Sequence, residues 1–537
     1  MVFALAVLHS ACFLLAYPDP GIWWLAFIAP IPLALACLLA VRARVVFAAV
    51  TVSQLVVWAI IQGWMRDVTL PGYLAFVVYL SLLGGLEALF LRALVRGRLR
   101  LSLGIALPLV LVGMDWLRGY VLFDGYPWYL RGQPLIEFQA LAELARLGGV
   151  WLPTFVALAA SGLVAEFLRR SVLGRVAPKI APGVRIHGML VLLFGAGTIL
   201  LTGTSSGKPD ESRSVLMVQT NLSTSNKIAW TYEQQQVDVR GFIELTTDAL
   251  DAAMEVGETV DLVVWPETML PSVGFERGDI FTRAIEDVVA RYQVPMLIGS
   301  GSYLGISSDG NGEVTWEEHY NSAYLVGPSG PPYPRVDKIF LTPFGETMPY
   351  ISSWPWLEER MLAFGAGGMS FDLDAGNSIV RPELPGETPV RIAVPICFED
   401  TMATVVRRMV WRDGERAADL LVNISNDGWF GDDDAGRRMH TLCARWRSIE
   451  NDVWLVRVAN TGESVVIDPN GRIRERVTPE PRSAGTRLVR IGVVTGDAPA
   501  HALLGNLFGM GCGVAMFMAL MVEWGCRRRS EAPCASA

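Results

Sequence analysis

The stretch VPICFED, residues 394–400, ends an apolar run in a cysteine, Cys397, with Glu399 two positions on. Two other candidate strand ends carry residues that could work with it. DLVVWPET (261–268) puts Glu267 after a strand-like run, behind a proline that stiffens the turn. VDKIFLTPFGETMP carries Lys338 and, eight residues later, Glu346. Singly, each has a dull explanation: a cysteine on an apolar strand is usually a small buried hydrophobe, a glutamate in a turn is usually solvated, and a lysine before an apolar run usually snorkels. Together they suit acyl transfer. A thiol is a nucleophile only as thiolate, and its free pKa of about 8.5 leaves little of that form at neutral pH. A helix starting after Cys397, together with a lysine, would stabilise the anion. A carboxylate such as Glu267 would take the thiol proton and return it to a leaving group. The lysine ammonium would also face the oxyanion of a tetrahedral intermediate.

A Cys–His pair is the competing reading. Only His319 and His440 lie well inside this part of the chain, with His501 near its end. His440, in RRMHTLCARW, neighbours Cys443 rather than Cys397, so Cys–His is the weaker choice. No GxSxG elbow is present to support Ser–His–Asp chemistry.

The elements that must position these residues alternate. SVLMVQTN (214–221), DLVVWPET, VPMLIGSGSY, YNSAYLVGP, RIAVPICFED (391–400), DLLVNISND, WLVRVANTG and SVVIDPNGRI read as strands. About 232–256, 280–293, TMATVVRRMVWRDG and RRMHTLCARWRSIEN read as helices. Strands buried on both faces and alternating with helices predict a layered α/β fold with its chemistry at strand ends.

The rest of the chain is of another kind. Of 537 residues, 52% are hydrophobic and only 18% charged, and mean hydropathy is +0.36. That balance points to membrane segments beside a water-exposed part. A membrane helix needs about 20 mostly apolar residues. Seven candidates precede the α/β part, at roughly 1–17, 22–41, 45–62, 73–92, 101–120, 150–168 and 187–203, and an eighth covers 502–524. The first lacks a basic flank and a small-residue cleavage site, so it reads as retained. Basic residues follow the even-numbered spans: Arg42 and Arg44; Arg92, Arg96, Arg98 and Arg100; Arg169, Arg170, Arg175, Lys179 and Arg185; Arg527, Arg528 and Arg529. That bias predicts cytoplasmic termini and an α/β domain outside the cytoplasm. The expected division is seven spans in 1–203, the α/β domain in 204–500, the eighth span in 501–525 and a tail in 526–537. Within the spans, Glu87 is left open, Asp115 and Arg118 are expected to pair with each other, and GYPWYLRGQP reads as an interfacial aromatic belt.

The net charge of −8 offers nothing to nucleic acid. Seven cysteines (Cys12, Cys37, Cys397, Cys443, Cys512, Cys526 and Cys534), four in or beside apolar runs, form no disulfide framework. Without CxxC or zinc-ligand spacing, no structural metal is expected.

WPET, DKIFLTPFGE, CFED and NDGWFGD, in that order and framed by seven spans before and one after, resemble the nitrilase superfamily and, within it, the membrane-bound apolipoprotein N-acyltransferases. The resemblance implies a multi-pass helical membrane domain and an α-β-β-α sandwich. It implies acyl transfer without a cofactor, from a phospholipid to the N-terminal amine of a diacylglyceryl-cysteine apolipoprotein, at the cell inner membrane with a periplasmic catalytic domain. Carried over, Glu267 is the general base, Lys338 the oxyanion partner and Cys397 the acylated thiol, while Glu346 and Glu399 are expected to position them. Phe398 stands where better-known members have tyrosine, and Trp230 matches a tryptophan on an arm over the site. The long aromatic stretch 347–369, with Trp354, Trp356 and Phe364, suits a lid against the bilayer, as does Trp429 in GWFGDD. The alternative is a membrane-anchored amidohydrolase with the same three residues and water as acceptor.

Overall fold

A computed structural model describes residues 1–171, 211–222, 230–308, 314–347, 373–386, 388–494 and 496–531. The chain divides into two compact units, one of residues 1–205 with 504–537, the other of residues 206–503.

The first unit is helical: α1 (Val2–Ala16), α2 (Pro30–Leu39), α3 (Ala43–Ile61), α4 (Leu70–Arg96), α5 (Leu103–Tyr120) and α6 (Trp151–Ser171), joined by a C-terminal helix, Leu507–Glu531. Among the described residues five helices are long and apolar enough to cross a membrane: α3 to α6 and the C-terminal helix. The segments expected at 1–17 and 22–41 form shorter apolar helices, Val2–Ala16 and Leu25–Leu39. In the second of these the hydrogen-bond ladder is interrupted at Ala29, whose backbone stays helical, because Pro30 has no N–H to donate. The span expected at 187–203 lies outside the described residues.

The segment expected to be an interfacial belt is instead interior. Trp128, Tyr129 and Leu130 are 3%, 3% and 2% exposed. The reason is charge. Arg131 from this loop reaches Asp115 on α5 (Nη1 to Oδ1, 2.5 Å) and also ion-pairs with Glu87 on α4. Arg118 lies 3.8 Å from Asp115 and donates to the carbonyls of Trp128 (2.8 Å) and Tyr129 (3.0 Å). The expected Asp115–Arg118 pair is thus secondary: Arg131 is the main partner of both acids, and Arg118 ties down the loop.

The second unit is a sandwich of two six-stranded sheets. In chain order it runs β1 (Glu211–Gln219), α7 (Tyr232–Glu255), β2 (Leu262–Val264), α8 (Ile280–Tyr292), β3 (Met296–Leu304), β4 (Glu318–Val326), β5 (Arg335–Asp337), β6 (Glu383–Leu384), β7 (Val390–Ala393), α9 (Ala403–Val410), β8 (Leu420–Ser425), α10 (Asp434–Asn451), β9 (Leu455–Ala459), β10 (Val465–Ile467), β11 (Ile473–Arg476) and β12 (Gly485–Val493). Sheet one has the order β12-β1-β2-β3-β4-β5 and sheet two β11-β10-β9-β8-β7-β6. Each has three parallel strands at its centre, β1-β2-β3 and β7-β8-β9, flanked by antiparallel ones. Alternate residues of the two sheets, among them Val215, Met217, Val264, Ile392, Val422 and Val458, close the core between them. The opposite face of sheet one, with Leu216, Val263 and Trp265, packs under α7 and α8 through Val239, Phe242 and Ile285. With period-two alternation, residues between the core positions of sheet two, such as Asn423 and Arg457, face the other way.

Candidate active site

The carboxyl ends of the central parallel strands carry the polar residues. Glu267 follows β2. It is 5% exposed, and its Oε1 accepts from Asn321 Nδ2 on β4 at 2.7 Å while its Oε2 accepts from the Asn426 amide, just after β8, at 2.7 Å. A residue of sheet two therefore fixes a carboxylate of sheet one. Lys338 follows β5 and is 1% exposed. Its Nζ lies 2.8 and 2.6 Å from the two oxygens of Glu346, 4.0 Å from Glu267 Oε1 and 3.4 Å from Thr342 Oγ1. Burial works against its charge, but Glu346, Cys397 and Glu267 outweigh it and hold the ammonium well above the usual lysine range. Glu346, also penalised by burial, is held below the usual carboxylate range by Lys338 and the Thr342 contacts.

Cys397 is partly buried and opens a 3₁₀ turn, Cys397–Thr401. β7 ends at Ala393, Ile396 makes one more parallel bridge to Ile424, and the chain then turns with φ +52° at Cys397. The α-helix expected directly after the cysteine begins only at Ala403, because the tight turn comes first. Burial pushes the thiol well above its ordinary value, Glu267 adds to that and Lys338 opposes it. Moving the thiol proton to Glu267 leaves the net charge of the site unchanged, so ionisation adds no uncompensated buried charge.

Glu399 holds the two halves in register. Fully buried, it accepts from the amides of Ile339 (2.7 Å) and Phe340 (2.9 Å) with Oε1 and from Ile396 (2.7 Å) with Oε2. One carboxyl thereby clamps the residues just after Lys338 to the residue just before Cys397. Burial raises Glu399 to about 7 against those amides and Lys338. Phe398 is buried and stacks on Phe340, with centroids 6.3 Å apart.

A carbon-nitrogen hydrolase family model matches residues 227–494, and an apolipoprotein N-acyltransferase N-terminal domain model matches residues 9–163. The apolipoprotein N-acyltransferase of Geobacter metallireducens is 30% identical over 488 residues, 88% of this chain and 86% of that one. The chain belongs to the apolipoprotein N-acyltransferase family. The family's member from Bradyrhizobium diazoefficiens is 29% identical over 369 residues, 68% of this chain and 64% of its own. Among solved structures, an amidase from Nesterenkonia sp. covers 54% of this chain and 94% of its own at 16% identity and a TM-score of 0.35.

In this N-acyltransferase the remaining expected site residues lie apart from the cluster or outside the described residues. Trp230 donates from Nε1 to Asp238 on α7 at 2.8 Å and packs against the core under that helix. Its described contacts are with α7 and that core, not with Glu267, Lys338 or Cys397. Trp429 is 44% exposed in the turn Asp427–Phe430. Trp354, Trp356 and Phe364 lie outside the described residues.

Sequence reasoning missed Asn321 and Asn426, which fix Glu267, and the two acids that pair with His440. That histidine points into a buried cluster: its Nδ1 is 2.9 Å from Asp427 Oδ1 and its Nε2 2.9 Å from Asp400 Oδ1. Arg457 donates to Asp400 Oδ2 (2.8 Å), Asp427 Oδ2 (2.7 Å) and Asn423 Oδ1 (2.6 Å). The available signal was Asp400 within CFED and Asp427 within NDGWFGD, two acids in the sequence words that mark the candidate site.

Proposed function

We propose that this membrane protein moves an acyl chain from a phospholipid to the N-terminal amine of a diacylglyceryl-cysteine apolipoprotein, through a thioester on Cys397. The assignment of roles is supported by geometry: Lys338 Nζ lies 4.0 Å from Glu267 Oε1, and the Glu399 carboxyl joins the residues after Lys338 to the residue before Cys397. In the first half-reaction Glu267 takes the thiol proton and the sulfur attacks the donor's ester carbonyl. Lys338 faces the oxyanion. The carbon–oxygen bond breaks, and the lysophospholipid alkoxide leaves with the proton from Glu267. In the second, the acceptor amine attacks the thioester carbonyl, Glu267 receives its proton, and the thiolate leaves and is reprotonated. Glu346 keeps Lys338 charged and in place, and Glu399 keeps both loops in register.

The proposed setting is the cell inner membrane, with both termini cytoplasmic and residues 204–500 in the periplasm, supported by the arginines after the even-numbered apolar segments. Residues 347–369 and Trp429 are proposed to touch lipid. An apolar lid would also keep water, the acceptor of the amidohydrolase alternative, away from the thioester.

The test is intact-mass analysis after exposure to labelled phospholipid. A hydroxylamine-labile acyl adduct is expected on wild type and on Cys443→Ala, and none on Cys397→Ala. The reversed pattern would remove Cys397 as the nucleophile. Label released only as free fatty acid, with none on the lipoprotein amine, would favour hydrolysis.

A further inference from the structure

Behind Cys397, on the face of sheet two turned from the inter-sheet core, lie four charged side chains with almost no access to water: Asp400, Asp427, His440 and Arg457. They come from four elements, namely the 3₁₀ turn of Cys397, the turn after β8, α10 and β9. Each ring nitrogen of His440 lies 2.9 Å from a carboxylate oxygen. A neutral imidazole has one N–H and would leave a lone pair against one carboxylate, whereas the imidazolium donates to both. The opposing contact is Arg457 Nη2, 3.0 Å from Nδ1. Two carboxylates outweigh one guanidinium, and His440 is raised to about 9 despite burial and Arg457. The cluster then holds two negative and two positive charges.

It is joined to the thiol in two ways. Asn423, whose Oδ1 accepts from Arg457, donates from Nδ2 to the carbonyls of Pro395 (3.0 Å) and Cys397 (3.3 Å). Asp400 belongs to the same turn as Cys397, three residues on. Asp427 and Arg457 also act on the thiol through space, with opposite signs. We infer that this cluster is an electrostatic positioning device for Cys397, holding its strained turn and, through its balanced charge, setting how readily the thiolate forms. The inference rests on Cys397 being the acylated residue. Facing the cluster from the packed elements are Ser425 on β8 and Arg437 on α10, the latter paired with Asp434. Arg447, paired with Glu450, donates to the Thr401 carbonyl. On the thiol's other side stand Glu267, Lys338 and Glu346.

The sign of the response is the test. In the full chain in detergent micelles, the rate of Cys397 alkylation by iodoacetamide is followed by peptide mass across pH. His440→Gln leaves the cluster with one excess negative charge and should move the midpoint up, by on the order of one pH unit. Asp427→Asn leaves one excess positive charge and should move it down. The double variant restores balance and should return near wild type. Asp400→Asn is a second variant of downward sign, so whichever variants fold still decide the matter. Midpoints that stay put, or all move one way, would reduce the cluster to scaffolding. An acyl adduct absent from Cys397 would instead defeat the proposed nucleophile, a separate failure read in the same samples.

Discussion

Cys397 holds φ +52°, a conformation that costs a non-glycine residue energy and persists only where its surroundings impose it. Here Glu399 and Asn423 grip the backbone on both sides of the sulfur. All three partners of Glu399 are donors, so Glu399→Gln sets an NH₂ against an amide. We expect a loss of about 1–3 kcal/mol and an acyl-transfer rate at least about tenfold lower, checked by thermal unfolding and by label transfer. His440 gives a pH signature in stability. Its folded pKa, raised from 6.5 to about 9, means that its contribution is full below 6.5 and is lost as pH rises through about 9. Over that window wild type should lose unfolding temperature, and His440→Gln should show a flatter profile. At this scale the words around Glu267, Lys338 and Cys397 were legible because each borders an apolar run. The buried cluster was not, because Asp400, Asp427, His440 and Arg457 meet only through folding, and local spacing set His440 beside Cys443.

Strand–helix alternation was readable over most of the sandwich, from SVLMVQTN to SVVIDPNGRI, because hydrophobic runs bounded by turn residues are local signals. Sheet order was not, since the antiparallel closure of β12 on β1 joins residues far apart in sequence. The burial of GYPWYLRGQP was missed for a similar reason: composition cannot tell an aromatic segment at an interface from one drawn inward by a buried arginine. One element contact makes a sharp prediction. A Cβ on Gly299 of β3 would lie 2.5 Å from the Pro266 carbonyl oxygen and 2.6 Å from Glu267 Cα. Gly299→Ala must therefore push the turn that carries Glu267. Acyl-adduct formation on Cys397 should slow by tenfold or more, while circular dichroism stays close to wild type.

For the molecule as a whole, the helical unit has its own internal tie. Arg131→Ala would take from Glu87 and Asp115 their main cation, leaving Asp115 only Arg118 at 3.8 Å, for an expected loss of about 3–5 kcal/mol, measurable by thermal unfolding in detergent. The proposed topology predicts that a periplasm-active reporter fused within 211–500 reports, and that one fused after residue 537 does not.

The clamp made by Glu399 bears on how the protein fails. It fastens the exit of β5 in one sheet to the exit of β7 in the other, and the Asn426 amide does the same for Glu267. Any loosening that lets the sheets slip past each other will separate sulfur, ammonium and carboxylate before a single helix melts. Mild heat or denaturant should silence the enzyme while its far-ultraviolet spectrum still looks native.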